Sequence, residues 1–264
     1  VNLAGTFFGT GCFLAALLIS GTFNIYSVSS TLFVIALIPA FFAMMFSGTS
    51  LPADPGFEER TFRRAWNEFR SPLAVLFSLL LFLQFANEWS VAGWLTIFLI
   101  QRLGMSPAAS LLILALYWLA LLAGRILAQA VLPKVRHGRL LMGSVVAAMF
   151  GCTILFLTDN AFGACLGTLL VGVGFAPVYP LVVEKIGIRF PSYHPGLFNG
   201  IFSFALTGGL LAPWLLGYLA DAFGIGVVIF FPLLGSFAVF VLLLMIWIGA
   251  KVSGALSQPQ NSSI

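Results

Sequence analysis

Apolar residues in this chain run in long unbroken stretches, not in the short alternations of half-buried strands. Eight stretches stand out, roughly Leu3–Ser20, Tyr26–Ser47, Leu73–Ile100, Ala108–Leu132, Leu140–Thr158, Phe162–Ile186, Gly196–Ala220 and Val227–Lys251. At about 1.5 Å per residue, most can cross a hydrocarbon core of ~30 Å as helices. Barrel strands would be alternating segments of about ten residues. The pattern therefore predicts an all-α integral membrane protein with about eight transmembrane helices.

The polar positions between the stretches predict its orientation. The connection after the second segment carries Arg60, Arg63, Arg64 and Arg70, and that after the fourth carries Lys134, Arg136 and Arg139. Lys185 and Arg189 follow the sixth, and Lys251 closes the eighth. The alternate loops hold only Arg102, Asp159 and Asp221. By the positive-inside rule the basic loops and the C-terminus are cytoplasmic, in a plasma or bacterial inner membrane. One connection is long, 48–71. Within it Phe62, Trp66 and Phe69 fall at helical spacing, predicting a short amphipathic helix on the inner membrane face. The expected organisation is two helices in 1–47, a cytoplasmic loop in 48–71, six helices in 72–251 and a cytoplasmic tail in 252–264.

Composition agrees with this reading and excludes others. The 264 residues are 61% hydrophobic and only 8% charged, against about 25% charged in a soluble domain. A net charge of +4 distributed between apolar runs is no nucleic-acid footprint. Cys12, Cys152 and Cys165 have no metal-ligand spacing and read as buried thiols. His137 and His194 lie in loops, and no Walker A pattern occurs, so neither a catalytic constellation nor a cofactor nor a metal is expected. The chain opens at Val1, already inside an apolar stretch, which is the expectation for a fragment or partial gene product.

Against this apolar background the few polar helix positions carry the candidate chemistry. The stretch FLQFANEWSVAGWL, Phe82–Leu95, puts Glu88 a little past the centre of a helix. A charge there costs roughly 2.5–3.5 kcal/mol, so it should face protein or a wet cavity. Gln84, Asn87, Glu88, Val91 and Trp94 or Leu95 form one stripe at helical spacing, which reads as the lining of a pathway. The alternative is a Glu88 that only ties two helices together. Tyr117 and Trp118 lie near the middle of the fourth segment; with Gln84, Asn87 and Trp94 they could give a sugar both hydrogen bonds and an aromatic face. Arg125, about two turns from its helix end, either snorkels or pairs with Glu184 as a gate. Pro177 and Pro180 should kink the sixth segment. Gly5, Gly9, Gly11, Gly167, Gly172 and Gly174 are spaced for close helix packing.

Gly124-Arg125, the short basic loop and Gly138-Arg139-Leu140-Leu141 resemble the second copy of the loop motif of the major facilitator superfamily. Three stretches are similar to its fucose permease-like sugar:proton symporters: Phe82–Leu95, LYWLALLAGR over 116–125, and LLAPWLLGYLAD over 210–221. The resemblance covers the whole chain, as helices five to twelve of twelve. It implies a partial major facilitator superfamily fold, two six-helix bundles and a midplane site between them. It also implies a secondary transporter for a sugar or similar polar small molecule, with protons as coupling ion. The first four helices of the same polypeptide, where the fucose permease type carries most of its coupling carboxylates, would be missing. Isolated, such a chain is expected not to perform alternating access. Two other readings stand beside it. The 28 phenylalanines suit an efflux transporter for amphipathic compounds, and eight helices alone suit a transport-incompetent membrane partner.

Overall fold

The computed structural model describes residues 2–22, 25–49, 71–189 and 195–256. Among them are nine α-helices: α1 (Asn2–Thr22), α2 (Val28–Phe46), α3 (Pro72–Leu103), α4 (Pro107–Val131), α5 (His137–Leu157), α6 (Ala161–Phe175), α7 (Val178–Arg189), α8 (Pro195–Phe223) and α9 (Val227–Leu256). The chain is a multi-pass integral membrane protein. Seven described spans are long and apolar enough to cross a bilayer, α6 and α7 counting as one, and Phe7–Thr22 is a shorter apolar helix. The expected amphipathic helix lies outside the described residues.

Local chemistry sets the helix ends. Ser71 and Ser106 each accept a hydrogen bond from a backbone N–H three residues on, at 3.3 Å, with proline at the first helical position. Asn160 caps α6 in the same way through Gly163 N, at 2.8 Å. Gly104, at φ 64°, takes the left-handed turn that closes α3. The sixth apolar segment divides at Ala176-Pro177, where proline has no N–H to continue the helix.

Buried glycines let the helices approach. A Cβ on Gly174 would stand 2.5 Å from Ala148 N, and one on Gly167 would stand 2.9 Å from Gly151 O, so α6 packs against the α5 backbone. On another face of α6, a Cβ on Gly172 would stand 2.8 Å from Tyr117 O on α4. Between apolar helices in lipid such close contact supplies the attraction that water supplies in soluble cores. Gly11 differs from its expected role, since a Cβ there would meet no atom within 4 Å.

α3 sits at the centre of this arrangement, packed on α8, α9 and α4, while α1 docks on α4. α2 buries only Thr31. The packed helices contain two apolar cores. One gathers Val91, Leu95, Phe98, Tyr117, Leu121 and Cys152. The other, toward the basic loops, gathers Leu80, Leu81, Leu141, Val178 and Val239. They meet at the level of Gln84 to Ser90 on α3, where Gln84, Asn87 and Ser90 are buried polar side chains beside Ala86.

Candidate functional site

Glu88 belongs to that polar layer. Its Oε1 lies 3.7 Å from Arg125 Nη2, and each side chain is only 12% exposed. The expected pairing of Arg125 with Glu184 is thus corrected. Glu184 Oε1 stands 3.0 Å from His137 Nε2 at the more exposed basic end. The reason is directional. α3 and α4 are antiparallel about Gly104, with Glu88 roughly four turns and Arg125 roughly six turns from that turn. Side chains lean toward their own helix N-terminus, so Glu88 leans away from the turn and Arg125 leans back toward it. The two heads meet between the two levels.

Tyr117 fixes the same level from α4. It is fully buried and its hydroxyl donates to the Glu88 backbone carbonyl at 3.2 Å, so it positions the carboxylate's helix. Trp118 is nearly buried and packs edge-on against Tyr117 at 5.3 Å, Phe8 at 6.0 Å and Trp89 at 6.4 Å. Phe8 and Trp89 are 47% and 38% exposed, and they form an aromatic surface next to the ion pair. Sequence reasoning missed both. Trp89 directly follows Glu88, which was the available signal; Phe8 has no contrast in a phenylalanine-rich helix.

The remaining candidates separate. Asn87 is buried against α9, where a Cβ on Gly235 would run into its amide. Gln84 is also buried, and among the described residues Gln84 Nε2 and both Asn87 amide atoms lack a hydrogen-bond partner. Trp94 lies on the α8 seam, its Nε1 donating to the Pro213 carbonyl at 2.9 Å. It joins two helices and stands apart from the aromatic surface. Gly124 faces α6, where a Cβ would stand 2.7 Å from Ala176 Cβ. Gly138 and Arg139 are exposed in the first turn of α5. Pro177 marks the α6–α7 break and Pro180 lines a cavity of about 390 Å³. That cavity also reaches Arg125, Gln129, Phe198 and Glu184.

Comparison with known proteins places this geometry. Residues 1–209 match the Major Facilitator Superfamily. The chain belongs to that superfamily. Its helices resemble those of FucP, a superfamily transporter solved in the outward conformation. The TM-score is 0.67 at 18% identity, over 92% of this chain and 67% of that one. The superfamily chain is also 23% identical to the sialic acid transporter NanX of Escherichia coli (strain K12), over 93% of its own length. A glucose/galactose transporter of Brucella abortus is 25% identical over 69% of the chain. The chain spans 62% and 43% of those two relatives.

Proposed function

We propose that this superfamily chain is the greater part of a secondary active transporter that moves a sugar or similar polar small molecule by alternating access, coupled to protons. The observation that carries this is the Glu88–Arg125 pair at 3.7 Å, held between two apolar cores beside the Phe8, Trp89 and Trp118 rings. A buried ion pair in a membrane helix layer is costly and marks a pathway more readily than a fold requirement. The relatives named for sialic acid and for glucose and galactose support a sugar.

In this reading 1–47 ends one helix bundle, 48–71 is a cytoplasmic loop, and 72–251 is the second bundle, with the tail 252–264 in the cytoplasm. The docking of α1 on α4 and the sparse burial of α2 support a bundle boundary after α2. The substrate contacts fall to Glu88, Arg125, Trp118, Trp89 and Phe8. Tyr117, Trp94, Gln84 and Asn87 act through helix placement. The test is uptake of labelled monosaccharide into vesicles expressing the complete gene, with and without an inward proton gradient. Gradient-driven accumulation is expected. Uptake indifferent to the gradient removes proton coupling, and export of amphipathic dyes without sugar uptake favours the efflux reading.

A further inference from the structure

Phe85, Glu88 and Trp89 share one face of α3, at i, i+3 and i+4. Trp89 carries the aromatic surface beside the carboxylate, and Phe85 stands one turn away on the side of the basic loops. Tyr179 packs edge-on against Phe85, with ring centroids 5.5 Å apart, and Phe202 of α8 meets the same ring at 6.0 Å. Tyr179 is the second residue of α7. A Cβ on Gly124 would stand 2.7 Å from Ala176 Cβ, so the chain enters α7 beside α4 at the level of Arg125. The Tyr179 side chain leans toward its own N-terminus and therefore back toward the ion pair. Its phenol lies within electrostatic reach of both Glu88 and Arg125. Beyond it the cavity of about 390 Å³ begins, lined by the next residue, Pro180, and by Phe198, which stacks on Phe202 at 6.3 Å.

We infer that Tyr179 is a sixth substrate contact and a determinant of specificity: its hydroxyl bonds one hydroxyl of the sugar, and its ring closes the site against the cavity. The inference rests on the transporter reading and deepens it, setting Tyr179 opposite Trp89 and Trp118 across the ion pair. Packing explains the ring, which ties α7 to α3 and α8, but phenylalanine would serve as well. The hydroxyl is what packing does not use. Tyr117 places its own hydroxyl on the Glu88 carbonyl, as a tyrosine in an apolar layer usually does. That of Tyr179, on a partly buried side chain, has no hydrogen-bond partner among the described residues. A sugar hydroxyl can both donate to it and accept from it. With the ring held between Phe85 and Phe202, little side-chain freedom is left to lose on binding. An analogue lacking the matching hydroxyl leaves the phenol unpaired, which is how a polar contact discriminates.

The test is equilibrium binding of labelled glucose to the complete gene product in detergent, for wild type and Tyr179→Phe, with the monodeoxy glucoses as competitors. Each competitor lacks a single hydroxyl. Loss of one neutral hydrogen bond should weaken glucose about three- to tenfold in Tyr179→Phe. One deoxy sugar that wild type discriminates against should then compete with glucose on equal terms, because the two deletions remove the two ends of one bond. Melting of Tyr179→Phe should match wild type, while Tyr179→Ala, which also loses the ring wall, should weaken every sugar further. Glucose affinity unchanged in Tyr179→Phe, or a weakening that is the same for glucose and every deoxy analogue, refutes the contact and leaves the sugar reading standing. Failure of wild type to bind glucose or L-fucose overturns the sugar reading and this contact with it.

Discussion

Removing one member of the Glu88–Arg125 pair should cost far more than removing both. Each side chain is 12% exposed, so the variant that loses one charge of the pair keeps the other largely desolvated. Breaking a buried pair typically costs about 3–5 kcal/mol, and the 3.7 Å separation places this one toward the lower figure. Glu88→Gln should therefore lose about 3 kcal/mol, since a guanidinium cannot shed its proton. Arg125→Gln should lose less, because a lone carboxylate can be neutralised by taking up a proton. The double glutamine variant should return to within about 1 kcal/mol of wild type, a coupling of roughly 2 kcal/mol or more. With the partly buried Cys12 and Cys165 replaced by serine in every variant, Cys152, fully buried on α5, serves as the reporter, since its reaction with a thiol-directed fluorophore follows unfolding. At about 2–4 °C per kcal/mol, the single Glu88 variant should melt some 6–12 °C early. Independent, additive losses would refute the view that these two side chains form one unit.

Three further outcomes follow from the packing. Gly174→Leu should cost at least about 3 kcal/mol and lower expression, because even a Cβ there would stand 2.5 Å from Ala148 N and the backbone cannot yield as a side chain can; thermal unfolding checks it. Trp94→Phe should cost about 0.5–1.5 kcal/mol through loss of the bond to Pro213 O, with sugar affinity unchanged, whereas Trp118→Ala should weaken sugar binding several-fold. Glu184→Gln should change stability by less than about 1 kcal/mol, since its bond to His137 joins partly exposed side chains, and a melting curve resolves this.

How far the sequence can be read depends on which link carries the information. Helix number and extent are legible because hydropathy over twenty residues is a local property, and the eight apolar stretches coincide with described helices. Glu88 is legible for the same reason, as a charge within an apolar run. Its partner is not. Glu184 and Arg125 share a depth in sequence, but which heads meet depends on helix rotation and the direction in which side chains lean. The stripe through Gln84, Asn87 and Trp94 had the right period, yet its face turns onto α8 and α9, where Gly235 and Pro213 receive it. Glu88 lies at the edge of that stripe and looks toward α4 instead. Phe8 carried no signal, and Trp89 only its place beside Glu88, because an aromatic in a greasy helix looks the same whether it faces lipid, core or solute.

The most direct test of the account is sugar uptake by wild type and Glu88→Gln at matched expression. Labelled glucose and L-fucose would be followed in vesicles carrying the complete gene product under an inward proton gradient. The account predicts accumulation in wild type and its loss in the variant even where the variant protein remains folded. Normal accumulation in Glu88→Gln would contradict it and leave the buried pair as a tie between α3 and α4.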